Sequence, residues 1–259
     1  MKFFIHYILS LILLLNNMSK YIMDDEEKNI IDSYLTLYAE EWLPKKIQIA
    51  TITISCKTTI KFNYENIHRY SIFNSSSTSK QFYNQLSVHV YVEDKEKPIT
   101  VKLCCNGTLH FTGCKHAKHA FDAMKIMFNE FKNIKAIKNL EKKEMVEVPF
   151  VQDITQLNFK NISDFKICMI NSIFINSYHI SKIKLYDVMN KVGIECVIPE
   201  KHSGVNIKYK NVTLLVYESG KINITGGNNC KHIYEGYRFI RTYLDTYKDY
   251  IKENEIQNE

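Results

Sequence analysis

Two short stretches carry hydroxyl, amide, imidazole and ammonium groups at matching places. Residues 106–112 run Asn-Gly-Thr-Leu-His-Phe-Thr, and residues 219–225 run Ser-Gly-Lys-Ile-Asn-Ile-Thr. Alternate residues of a strand share one face, so Cys104, Asn106, Thr108, His110 and Thr112 stand together, as do Tyr217, Ser219, Lys221, Asn223 and Thr225. Such rows donate and accept hydrogen bonds while carrying one full charge, at Lys221. That chemistry suits either a solvated sheet face or a face that meets a polar polymer. A second cluster, Cys104, Cys105, Cys114, His116 and His119, holds metal-ligating groups. Its spacing matches no ordinary zinc pattern, so neither a metal nor another cofactor is assigned. There is no glycine-rich phosphate loop, nucleophile elbow or apolar pair of carboxylates. No catalytic residue is therefore named, and the chain is not expected to be an enzyme.

The elements that position these rows occur twice. Superposing Gly107 on Gly220 also pairs Thr112-Gly113 with Thr225-Gly226, His119 with His232, and Phe121 with Tyr234. A repeat of about a hundred residues is too long for a solenoid unit and points to two copies of one small α+β unit. In the first copy, Ile47, Ile49, Ile52 and Ile54 mark a strand over 47–56, and Leu86 to Val92 alternate as another. Glu93 to Pro98 form a turn, and Asn106-Gly107 joins strands Ile99–Cys105 and Thr108–Thr112 into a hairpin. Leu103, Cys105, Leu109 and Phe111 face inward. Ala117, Ala120, Phe121, Met124, Met127, Phe128 and Phe131 then recur at helical spacing, which makes an amphipathic helix.

The second copy repeats this order with strands at 165–175, 205–209, Val212–Tyr217 and Lys221–Thr225. Val216, Ile222 and Ile224 point inward, and a helix presents Ile233, Tyr237, Ile240 and Leu244. Ahead of both copies, Ile30, Tyr34, Leu37, Tyr38 and Trp42 predict a helix over 24–43 that closes at Pro44. The expected organisation is an N-terminal extension (1–44), a first repeat (45–139), a charged link (140–156), a second repeat (157–250) and an acidic tail (251–259).

The 259 residues carry a net charge of +6, unevenly spread. Residues 45–139 hold 15 basic against 6 acidic side chains, and residues 157–250 hold 13 against 8, while the segments outside are acidic. Basic repeats suit a polyanionic partner such as nucleic acid, although a lysine-rich solvated surface has the same charge. Seven cysteines without a spaced framework fit reduced thiols in an intracellular protein. Lys2 and the apolar run Phe3 to Leu15 have the shape of a signal peptide. The run is too short for an ordinary membrane span and no small-residue cleavage site follows it. Translation from Met18 or Met23 is the favoured explanation.

Ser219-Gly220-Lys221-Ile222-Asn223-Ile224-Thr225-Gly226 and Asn106-Gly107-Thr108-Leu109-His110-Phe111-Thr112-Gly113, the latter followed by Cys114-Lys115, resemble the paired signature of the TATA-binding protein family. Asp164-Phe165-Lys166-Ile167, Leu214-Leu215-Val216-Tyr217 and Ile233-Tyr234-Glu235 extend the resemblance, which covers residues 45–250 and is closer in the second repeat. Divergent members of this family occur in large DNA viruses. The resemblance implies an α+β fold, with two pseudo-symmetric repeats forming a saddle-shaped antiparallel sheet and helices on its convex face. It implies a monomer that binds A·T-rich double-stranded DNA in the minor groove and recruits initiation factors or RNA polymerase. No membrane is involved, and the location would be the nucleus, a cytoplasmic viral factory or a virion.

Residue by residue, Thr112 and Thr225 match groove-contacting threonines and Lys221 a phosphate-side lysine. Thr108, His110 and Asn223 fall on the groove floor, where the last two replace valines. Tyr217 takes the place of a phenylalanine wedge, while its counterpart Cys104 is too small to wedge. Phe82 or Tyr83, and Ile198, are the best matches to the outer wedges. Lys115 falls at the basic helix start and, with Lys118, Arg238 and Arg241, could instead face protein partners. Ile47 and Met169 stand where the family has central asparagines. These departures leave open a scaffold that has lost DNA binding and serves as a protein-interaction module.

Overall fold

A computed structural model describes residues 23–37, 43–73, 84–200 and 204–255. The apolar run 3–15, Tyr38, Trp42 and Phe82 with Tyr83 lie outside them. The chain forms two compact units, Met1–Tyr38 with Ile54–Lys166 and Ala39–Thr53 with Ile167–Glu259.

The first unit opens with helix α1 (Asp25–Leu37). Asp24 Oδ1 accepts the Glu27 N–H at 2.8 Å and Glu27 Oε2 accepts the Asp24 N–H at 3.2 Å. This reciprocal capping box satisfies two donors that a helix start leaves free. Glu27 Oε1 also accepts the Phe159 N–H at 2.8 Å, which accounts for a buried carboxylate on a surface helix. The apolar pattern favoured Ile30 as an inward residue, but that polar bond turns the helix so that Ile31 is buried and Ile30 only half-buried.

Strands β1 (Gln48–Thr58), β2 (Gln85–Val90), β3 (Ile99–Cys104) and β4 (Thr108–Cys114) follow, with helix α2 (Tyr64–Tyr70) between the first two. They hydrogen-bond in the order β2-β3-β4-β1. Helix α3 (Lys118–Phe131) lays Ala120, Phe121, Met124, Met127, Phe128 and Phe131 against the inward row Val101, Leu103, Leu109 and Phe111, all fully buried. Cys105, expected inward, is exposed. Strand β3 ends at Cys104, so the alternation stops one residue short and Cys105 belongs to the turn. Residues 140–156, expected to be a link, contain structure of their own. Strands β5 (Ile134–Asn139) and β6 (Glu144–Pro149) pair as a hairpin, and two 3-10 turns follow at Ile154–Gln156 and Phe159–Asn161.

Strand β7 (Ile162–Ile175) runs from the first unit into the second. The second unit continues with β8 (Tyr178–Ile180), α4 (Lys182–Lys191), β9 (Cys196–Val197), β10 (Gly204–Tyr209), β11 (Val212–Tyr217), β12 (Lys221–Gly227), α5 (Cys230–Thr246), α6 (Lys248–Ile251) and β13 (Lys252–Glu255). Its sheet order is β7-β12-β11-β10-β9, with β13 paired to β8. Asn229 caps α5 by accepting the His232 N–H at 2.9 Å. Ile233, Ile240 and Leu244 are fully buried on the sheet. At Gly236 the helix approaches so closely that an added Cβ would lie 2.8 Å from Val212 Cγ2.

The repeat extends to individual bonds. Gly107 and Gly220 both have φ of +80°, the left-handed region that the hairpin turn requires. Gly107 donates to Cys104 O at 2.9 Å and Gly220 to Tyr217 O at 3.0 Å, while the Thr58 and Asn176 N–H groups reach the Gly107 and Gly220 carbonyls, each at 2.8 Å. Thr112 Oγ1 donates to Thr100 O, and Thr225 Oγ1 to Thr213 O, both at 3.4 Å.

Cysteine burial sets reactivity. Burial pushes the Cys56 and Cys114 thiols up to about 12, whereas Cys105 and Cys168 are exposed. Because the thiolate is the reactive form, a maleimide should label Cys105 and Cys168 in the native protein within minutes. Cys56 and Cys114 should react only on unfolding, and peptide mapping of the labelled sites checks this.

Candidate nucleic-acid interface

Register turns the outward side chains into rows, because directly opposed residues of a sheet share a face. In the first unit, His89, Thr100 and Thr112 stand side by side, and below them Ser87, Lys102 and His110. Gln85 and Cys104 lie next to Thr108 at the hairpin end. All are half-buried, and His89 Nδ1 meets Thr100 Oγ1 at 3.1 Å. Burial, and then the nearby Lys102 and Lys166, hold the His110 imidazole below its usual range, which favours the neutral ring.

Five strands contribute to the second unit's face. One row runs Val197, Asn206, Leu215, Asn223, Ile173, and another joins Lys208, Thr213 and Thr225. Tyr217 lies beside Gly204 at the hairpin end, and Lys221 opposite Ile175. Asn171 Nδ2 donates to Thr51 Oγ1 at 2.9 Å. The face is more apolar than the sequence suggests, since Ile175 is 72% exposed and Val197 54% exposed. Asn223 Oδ1 is buried between its neighbours with no hydrogen-bond partner.

The structure therefore gathers Cys104, Thr108, His110 and Thr112 on one face, and Tyr217, Lys221, Asn223 and Thr225 on the other. Ile198 is half-buried just beyond β9. Lys115 is exposed ahead of α3, on neither set of rows. Arg238 is exposed with its guanidinium 6.0 Å from the Tyr234 ring. Arg241 is engaged by Asn176 Oδ1 at 3.0 Å and Asp245 Oδ1 at 2.6 Å. Sequence inspection missed Lys102, Leu215, Ile173, Ile175 and Val197. The alternation of 171–175 was a readable signal for two of them, but the β9–β10 register was not.

Asp94, His116 and His119 bring ligand atoms within 4.8 Å of one another, the spacing of a metal site. The hydrogen bonds argue otherwise. His119 is 1% exposed, and its Nδ1 accepts the Lys115 N–H at 3.1 Å, so the ring proton sits on Nε2 and points at Asp94 Oδ1, 2.8 Å away. A metal on Nε2 would move that proton to Nδ1, against another N–H. The trio is better described as a clasp between the β2–β3 turn and α3. In the second unit, Asn211 Nδ2 and His232 Nε2 meet at 3.0 Å in the same place.

The clasp has an acid limit. The bonds from His119, first, and His116 hold Asp94 down to about 2 from 3.8. Burial lowers His119, against the opposing pull of Asp94. Both folded-state values are depressed, so both contributions are present at neutral pH and lost on acidification. Because Asp94 is largely exposed, its share is small. Acid unfolding should show a component between pH 3.8 and about 2 that Asp94→Asn removes, measured by denaturant melts across that range.

Comparison with known proteins bears on these faces. The family model for transcription factor TFIID, or TATA-binding protein, matches residues 171–247, within the second unit. A TATA-box-binding protein-like protein of Acanthamoeba polyphaga mimivirus is 29% identical over 277 aligned positions, covering 88% of this chain and 74% of the relative. Among solved structures, the TATA-binding protein of Methanococcus jannaschii superposes with a TM-score of 0.50 at 20% identity, covering 79% of this chain and 99% of that one. The fold is thus that of the archaeal protein, and no described helix is long and apolar enough to cross a membrane. Taken with the paired hairpin signatures, the three likenesses agree: the chain is similar to the TATA-binding protein in the sequence of its second unit and in its fold.

Proposed function

We propose that the chain binds A·T-rich double-stranded DNA in the minor groove through both polar faces and nucleates a transcription complex there. The observation that carries this is the pair of matched rows Thr108, His110, Thr112 and Lys221, Asn223, Thr225, at equivalent strand positions and with Thr112 and Thr225 making equivalent hydroxyl bonds. A·T pairs present acceptors in the minor groove. Hydroxyl and amide donors meet them, while apolar Leu215, Ile173, Ile175 and Val197 pack on the groove walls. Lysines at 102, 208 and 221 supply the sequence-independent attraction to phosphates. By the family resemblance Tyr217 and Ile198 are the wedge candidates, with Phe82 or Tyr83 as the further one and Cys104 too small to serve, and Lys115, Lys118 and Arg238 are left for initiation factors or polymerase.

A salt series with a doubly end-labelled A·T-rich duplex and a G·C-rich control tests this. Tighter A·T binding that weakens steeply with salt supports groove binding, and a shortened end-to-end distance adds bending. Weak binding indifferent to sequence favours a second reading, in which the scaffold is a protein-interaction module. The small side chain of Cys104, opposite in the repeat to Tyr217, is the observation in that reading's favour.

A further inference from the structure

We propose that Asn223 makes the second face reject a G·C pair that the first face tolerates, so that the chain takes one orientation on an A·T-rich site. This rests on the minor-groove reading above and specifies what its second face turns away.

Asn223 sits in the row Val197, Asn206, Leu215, Asn223, Ile173, with apolar Leu215 and Ile173 directly on either side. The residue is half-buried, and its Oδ1 is the buried atom, without a hydrogen bond. The other end of the amide, Nδ2, therefore takes the open side of the row. The reverse placement would bury two N–H donors between hydrocarbon neighbours instead of one carbonyl oxygen. What the second face presents at this point is a donor, and the packing holds it there.

A·T and T·A pairs show only acceptors on the minor-groove floor, and G·C adds one donor, the guanine N2 amino group. At Asn223 an A·T pair sets an acceptor against a donor. A G·C pair sets donor against donor, between two side chains that accept nothing. Both N–H groups then lose their water and gain no partner, which weakens binding.

The matching place in the first unit is built differently. His110 stands in the row Ser87, Lys102, His110, and none of the three is apolar. A serine hydroxyl and a neutral imidazole each accept as well as donate. No partner among the described residues holds the His110 ring to one tautomer. A guanine amino group entering here is not set against a fixed donor in hydrocarbon. The two repeats thus match in backbone and differ in what they reject, which gives a pseudo-symmetric chain a direction.

A short palindromic A·T duplex provides the test, with inosine as the control, because it pairs with cytosine but lacks the N2 amino group. In a symmetric series one pair in each half becomes G·C or I·C, and in a single series one half alone is changed. For the full-length chain, G·C at one symmetric pair of positions should bind roughly five- to a hundredfold more weakly than I·C. The same change in one half should cost no more than about twofold, since the chain turns round and loses one of two equivalent orientations. Asn223→Ala should bring the symmetric G·C and I·C affinities together at that position. Asn223→Asp, whose carboxylate only accepts, should do the same while weakening every duplex. Both comparisons are made within one variant, so a general loss of affinity does not imitate them. Tight binding to the A·T parent with no G·C penalty, or with one that survives both substitutions, overturns the Asn223 assignment alone. A penalty as large in the single series as in the symmetric one overturns the orientation. Failure to bind any duplex of the panel overturns the minor-groove reading as well.

Discussion

Replacing Thr225 by Asp and Lys221 by Glu together should weaken binding to an A·T-rich duplex on the order of a hundredfold and leave the thermal midpoint almost unchanged. The pair lies on strand β12, where Thr225 is half-buried on the outward face and Lys221 is exposed at the strand start. The substitutions make that face three charges more negative against a polyanion. Losing the lysine alone should lower the salt dependence by about one phosphate contact. Little folding energy is at stake. The Thr225 hydroxyl bond to Thr213 O is long at 3.4 Å, and two surface changes of this kind cost about 1 kcal/mol in total. Anisotropy titration beside a thermal melt checks both halves. Unaltered affinity in a folded double variant would sink the assignment of this face to DNA.

The largest stability loss should come from Phe121→Ala, at roughly 3 to 5 kcal/mol, a large share of what a domain has. Phe121 is 1% exposed, stacked on Phe165 at 4.4 Å and flanked by Phe159 at 6.0 Å and Tyr34 at 6.3 Å. It therefore joins α3, β7, the 3-10 turn before β7 and helix α1 in one cluster. Truncation opens a cavity that aromatic rings with little freedom cannot refill. Since Tyr34 loses this contact, α1 should also become cleavable by protease before the rest of the unit. Urea unfolding with limited proteolysis measures both effects, and a loss below about 1 kcal/mol would mean that the cluster is not a core.

The hairpins around Gly107 and Gly220, and the two long amphipathic helices, were legible because short-range rules govern them. Asn106-Gly107 and Ser219-Gly220 specify tight turns, and alternation then decides which residues face inward. Phe111 and Ile224 are buried, and Thr112 and Thr225 face outward, as those patterns require. Features set by distant partners were not legible. Glu27 is buried because Phe159, far along the chain, needs an acceptor. The β5–β6 hairpin hides in a run of charged residues, where both faces are largely open and no apolar period develops. Val197 joins the second face only through its pairing with Asn206. The unpartnered oxygen of Asn223 depends on which side chains flank it across β11 and β7, and a single strand pattern does not carry that. The clasp of His119 by Asp94 likewise reads in sequence as loose metal-ligand types, and only its hydrogen bonds fix the ring proton.

The central claim is that the partner is read through the minor groove, and an inosine-substituted duplex tests it most directly. Replacing every A·T pair of an A·T-rich duplex by I·C keeps the minor-groove acceptors and alters the major groove. Affinities of the full-length chain for the A·T, I·C and G·C duplexes, taken at one salt concentration, should fall into two classes. The predicted result is A·T and I·C bound with similar affinity, both well above all-G·C. Grouping of I·C with G·C, or equal affinity for all three, would contradict it.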